Sequence, residues 1–122
     1  MTRLEIKSLM SSDVDIATWQ PESLEEVWFA IEMEIGLTGD DKADLFQTVV
    51  ATPEGLRKHA RDELISKRGT LVLSSYSPQI LRKVLEEILS ECSAENWNES
   101  VLKLQRYFFW EYEDYVQEDH SP

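Results

Sequence analysis

The chain has 122 residues, 42% of them apolar and 10% aromatic, and carries a formal charge of -12. That length holds one domain with one sizeable core, and the apolar content excludes wholesale disorder. Twenty-four acids against twelve bases exclude a surface suited to nucleic acid or anionic membranes and favour a basic protein partner.

Leu4-Glu5-Ile6-Lys7 alternates apolar and charged residues and predicts a short strand. Ser11-Ser12-Asp13 breaks the pattern, and Trp19-Gln20-Pro21-Glu22 reads as an irregular connector. From Val27 the alternation is sustained. Val27, Phe29, Ile31, Met33 and Ile35 take one face, and Trp28, Ala30, Glu32 and Glu34 take the other. This predicts a half-buried strand with an acidic solvent face. Gly36-Leu37-Thr38-Gly39-Asp40-Asp41 supplies turn residues, and β-rich Leu45 to Ala51 completes a predicted antiparallel hairpin.

Thr52-Pro53-Glu54 is a helix start, with the hydroxyl as N-cap and proline at the first helical position. Leu56, Ala60 and Leu64 follow at spacings of four, and Lys67-Arg68-Gly69 suits the helix end. Thr70 to Ser74 predicts a short strand around Leu71-Val72-Leu73. Ser77-Pro78 begins a second helix with an apolar stripe of Ile80, Leu81, Val84, Leu85, Ile88, Leu89 and Cys92. Asn96 caps a third helix, which the spacing of Trp97, Val101, Leu104, Phe108, Tyr112 and Tyr115 carries to about Tyr115. The order β-β-β-α-β-α-α predicts an α+β domain: a mostly antiparallel sheet of about four strands, with about three helices packed on one face. Without a repeat or a Pro/Gly/Ser linker, residues 1–122 read as a single domain, and residues 117–122 as a disordered tail.

The charge is unevenly placed. Asp13 to Asp44 holds ten acids against Lys42 alone, and Glu95 to Asp119 holds seven acids against Lys103 and Arg106. The stretch from Glu54 to Glu91, with six acids and seven bases, is balanced. Two acidic surfaces are predicted to carry an aromatic. One is the strand face of Trp28, Glu32 and Glu34, together with the Asp40-Asp41 turn. The other is the outer side of the third helix, where Trp110 falls opposite the apolar stripe, Tyr107 lies on its flank, and Glu113 and Asp114 sit beside it. An indole ringed by carboxylates is either covered by a loop or is a binding anchor.

Catalytic patterns are weak. His59 and His120 have no second histidine at ligand spacing, the glycines are isolated, and no serine sits in a glycine elbow. Glu32, Glu34, Asp40 and Asp41 suit a solvated strand and turn better than a carboxylate metal site. Cys92, the only cysteine, ends an apolar stripe and reads as a core residue. No catalytic residue, metal or cofactor is therefore expected. No run reaches the roughly 20 apolar residues of a membrane span. A charge-punctuated start and a lone cysteine fit the cytoplasm.

Three stretches together resemble a known family. They are Ile6-Lys7-Ser8-Leu9 with Asp13-Val14-Asp15, then Glu34-Ile35-Gly36 leading to Phe46-Gln47-Thr48-Val49-Val50 and Thr52-Pro53, and last Asn96-Trp97-Asn98-Glu99 leading to Trp110-Glu111-Tyr112-Glu113-Asp114-Tyr115. In this order they resemble the bacterial immunity protein 8 family over nearly the whole chain. Ser12 departs from an expected proline, and Ala51 from a frequent cysteine. The resemblance implies a protein encoded beside a polymorphic toxin, which binds the toxin domain and protects the producing cell. Many such toxins are basic nucleases, and the resemblance carries over no catalytic residue. An acidic adaptor with another partner and a carboxylate-based hydrolase are the alternative readings of the residues.

Overall fold

Side chains on successive residues of a strand leave opposite faces, so a strict period of two buries one set and exposes the other. The computed structural model, which describes residues 2–59 and 68–113, shows this most clearly in its longest strand. The elements in chain order are β1 (Leu4–Met10), β2 (Trp28–Leu37), β3 (Asp44–Ala51), α1 (Pro53–His59), β4 (Thr70–Val72), α2 (Pro78–Cys92), α3 (Trp97–Leu104) and β5 (Phe109–Trp110). The first seven follow the predicted order of an α+β fold, and β5 is an addition. Phe29, Ile31, Met33 and Ile35 of β2, with Val27 just before it, are each at most 1% exposed, as the alternation requires.

The strands pair in the order β1-β2-β3-β4, with β5 also on β3. β1 runs on to Met10, past the predicted Lys7, because the register shifts between Ile6 and Ser8. The extra residue, Lys7, resets which side chains face inward, which hides the strand from a simple period of two. β2 and β3 form the predicted antiparallel hairpin, with Phe29 opposite Val50 and Met33 opposite Phe46. β4 instead lies parallel to β3, with Val50 opposite Leu71. A parallel neighbour needs a crossover, and α1 lies in it.

Local chemistry sets the helix starts. The Thr52 hydroxyl accepts from the Gly55 amide at 3.3 Å and from the buried Val27 amide at 2.9 Å, tying α1 to the start of β2. At α2, Ser77 Oγ accepts from the Ile80 amide at 3.0 Å, with Pro78 in the first turn. At α3, Asn96 Oδ1 accepts from the Glu99 amide at 2.9 Å. Leu81, Leu85, Ile88, Leu89 and Cys92 of α2 join Val101 and Leu104 of α3, Phe108 and the inner residues of the sheet in one core cluster. The connector after β1 contributes Trp19, whose ring meets Phe29 edge-on at 5.2 Å, and Phe29 in turn meets Tyr76 at 5.4 Å. The predicted helical positions Ala60, Leu64 and Lys67, the end of the third stripe at Tyr115, and the 117–122 tail lie outside the described residues.

The third helix is a correction. It ends at Leu104 rather than near Tyr115, and the chain turns and enters β5. The carbonyls that would continue the helix have tertiary donors instead. Arg68 Nη1 donates to the carbonyls of Gln105 at 3.2 Å and Phe108 at 3.0 Å, and the Gly69 amide donates to that of Tyr107 at 3.1 Å. The aromatic run Tyr107-Phe108-Phe109-Trp110 also favours an extended chain.

Candidate protein-binding face of the sheet

The sheet has a second face, away from the core cluster. Strand registers place its residues in rows. Met10 of β1 lies opposite Glu32 of β2, Glu32 opposite Gln47 of β3, and Gln47 opposite Phe109 of β5. Three strand spacings of about 4.8 Å separate the ends of this row, roughly 14 Å in all. A neighbouring row holds Ser8, Glu34 and Leu45; on the other side come Ala30, Val49 and Thr70, then Trp28, Ala51 and Val72. Large apolar side chains stay exposed here: Met10 56%, Val72 45%, Phe109 42% and Trp28 40%. Large apolar side chains exposed among polar groups are the kind that interaction sites use as anchors.

The charges on this face are acidic and lightly compensated. Glu34 accepts a hydrogen bond from Ser8 Oγ at 2.8 Å, and among the described residues no cation pairs with Glu32 or Glu34. Asp13 borders it, its carboxylate accepting from the Ala30 amide at 2.9 Å. Lys7 pairs with Glu5 at 3.0 Å, and Arg68 with Glu113 at 2.8 Å, so neither cation neutralises the centre.

Arg68 has a further part. Its guanidinium carbon stands 4.3 Å from the centroid of the Phe109 ring. Both terminal nitrogens donate to Glu113, at 2.8 and 3.1 Å, and the guanidinium is also held by the two carbonyls described above. This bidentate contact holds the Glu113 carboxyl below its ordinary range, with the Trp110 amide as a smaller contributor, and raises Arg68 further. The Phe109 ring is thus both exposed and fixed.

Of the nine residues singled out from the sequence, the eight that the structure describes do not form two compact patches. Glu32 and Glu34 share the open face. Trp28 sits at its far corner, stacked on His59 at 4.8 Å, and Asp40 and Asp41 occupy the turn at the opposite end of β2. The Asp40 carboxylate accepts from the Lys42 amide at 2.9 Å, which shapes that turn. Trp28 and Glu34, six residues apart on one strand, are separated by about 20 Å.

Tyr107 and Trp110 do not share a helix face, because α3 ends at Leu104 and the chain turns into β5. Trp110 lies opposite Phe46, on the core side of the sheet. Its ring is half-buried against the core, meets Tyr112 edge-on at 5.6 Å, and donates its indole N–H to Asp44 Oδ2 at 3.0 Å. The Tyr107 hydroxyl contacts the Glu91 carboxylate at 3.0 Å, which raises the phenol's pKa. Glu113 serves Arg68, and Asp114 lies outside the described residues.

Met10, Gln47, Phe109 and Arg68 were not singled out from the sequence. Gln47 was within reach, since it is the polar member of an alternating strand. Phe109 was not, because its place depends on the break after Leu104.

The described residues offer little for catalysis. No group of three or more His, Cys, Asp or Glu is placed to hold a metal ion. Cys92 is 1% exposed, and burial, with a smaller push from Glu91, raises its thiol to about 11. No helix among the described residues is long and apolar enough to cross a membrane. What the open face can do is bind, by apolar contact and by attraction for cations.

Comparison with curated proteins and with solved structures returned no match. Comparison with protein-family models did, under the description Immunity protein 8, over residues 4–115. That span runs from the first residue of β1 to beyond the last described residue, and the chain therefore belongs to the immunity protein 8 family, immunity proteins of toxin systems.

Proposed function

We propose that this protein neutralises a cognate polymorphic toxin by binding its toxin domain, protecting the cytoplasm of the cell that makes both, without catalysing a reaction. The observation that carries this reading is the family match over residues 4–115. The charge supports it: a molecule of -12 attracts a basic protein and speeds its encounter, and basic surfaces are the rule among toxins that act on nucleic acid. Glu32, Glu34, Asp40 and Asp41 supply much of that attraction, and exposed aromatic side chains supply the apolar contact that exposed ion pairs alone do not.

The test is to co-express the chain with the toxin gene beside it and follow growth, then mix the purified proteins. Cells should survive only with the intact chain, a complex should form, and association should slow steeply as salt rises from low to physiological concentration. Growth arrest despite soluble, folded protein, with no complex formed, would overturn the reading.

A further inference from the structure

We propose that the toxin docks on the open face of the sheet, with Phe109 as its apolar anchor and Glu32 and Glu34 as the acidic flank. This rests on the toxin-binding reading above and deepens it. Four observations meet here. The row Met10–Glu32–Gln47–Phe109 crosses four strands and ends in exposed apolar side chains on both sides. Phe109 is held in place by Arg68, itself fixed by Glu113 and two carbonyls, so little ordering entropy is lost when a partner covers the ring. Gly69 packs directly against that ring, with Phe109 Cε2 2.2 Å from where a Cβ would stand. Finally, Glu32 and Glu34, two strands across from Phe109 on the same face, have no cation partner among the described residues, so they are available to one from outside.

The charge also selects the occupant. A second copy of this chain, docked face to face, would set Glu32 and Glu34 against the same acids, which opposes self-association. Nucleic acid and anionic lipid are repelled for the same reason. A protein surface with Lys and Arg around an apolar hollow is complementary in both respects. Once Phe109 excludes water there, the flanking pairs act in a drier setting than exposed salt bridges do.

The experiment measures binding of the purified toxin encoded beside this gene. The variants are Phe109→Ala, the double charge variant Glu32→Lys with Gln47→Lys, and Leu102→Ser on α3 as a control from a 68% exposed site. Each is first checked for native circular dichroism and a cooperative melt. The charge variant, which leaves the Arg68 contact untouched, keeps the test decisive should Phe109→Ala fail to fold. Toxin binding weakened about tenfold or more in the face variants, with the Leu102→Ser variant unchanged, is the expected result. Parental affinity and protection in the folded face variants would overturn the docking site while leaving toxin neutralisation intact. A parent that forms a dimer broken by the charge variant would assign the face to a second copy and overturn it too. Failure of the parent itself to bind would instead remove the toxin-binding reading on which the proposal rests.

Discussion

Gly69 and Phe109 are in contact across a separation of 40 residues. A Cβ built on Gly69 would lie 2.2 Å from Cε2 of the Phe109 ring, and the backbone there has φ +88°. The first relationship leaves no room for a side chain, and the second disfavours any L residue that carries one. Gly69→Ala should therefore cost about 2–4 kcal/mol, combining left-handed strain with overpacking. Urea unfolding of the parent and the variant measures it. A loss below about 1 kcal/mol would mean that the β5 segment moves away at little cost.

The Arg68–Glu113 pair predicts a stability difference that depends on pH. Because the folded carboxyl ionises at a lower pH than the unfolded one, its contribution is fully present above the unfolded value of about 4.3. It is lost as pH falls through the folded value. Glu113→Gln should lower the urea midpoint near neutrality, and the gap from the parent should close as pH falls towards about 3. A gap that stays constant across that range would show that the pair contributes through shape and not through charge.

Thr52 ties three segments together. Its hydroxyl accepts from the Val27 and Gly55 amides and donates to the Glu25 carbonyl. Thr52→Val keeps the volume and removes all three bonds, leaving the buried Val27 amide without this acceptor. The expected loss is about 1–3 kcal/mol, and hydrogen exchange should speed up at Val27 and in the first turn of α1 before it does so in α2. Uniform acceleration through the whole chain would argue against a local tie.

Neighbouring aromatics on β2 should respond oppositely to truncation. Phe29 is 1% exposed and packed between Trp19 and Tyr76, so Phe29→Ala should cost about 3–5 kcal/mol. Trp28 is 40% exposed and stacked on His59, so Trp28→Ala should cost roughly 1 kcal/mol. Thermal or urea melts of the two variants give the answer. Equal losses would contradict the register of the strand.

The sequence by itself determined the elements whose causes are local. The period of two in Val27 to Ile35 set the inner face of β2, because alternation depends only on the pleat. Thr52, Ser77 and Asn96 marked three helix starts, because a cap bonds to an amide within its own first turn. Glu32 and Glu34 were legible as members of an acidic strand face for the same reason. Tertiary structure alone decided the rest. The apolar spacing from Trp97 to Tyr112 is helical, yet α3 stops at Leu104 where Arg68 and Gly69 hold the next carbonyls. Arg68 reaches those of Gln105 and Phe108 across 37 and 40 residues, and Glu113 across 45. A helix and a strand can both bury that aromatic run, and the choice falls to whichever partners satisfy its backbone. That choice turns Trp110 towards Asp44 and the core and brings Phe109 into the row with Gln47 and Glu32. No periodicity within the last third of the chain encodes it, because Arg68 and Gly69, which enforce it, lie just before β4.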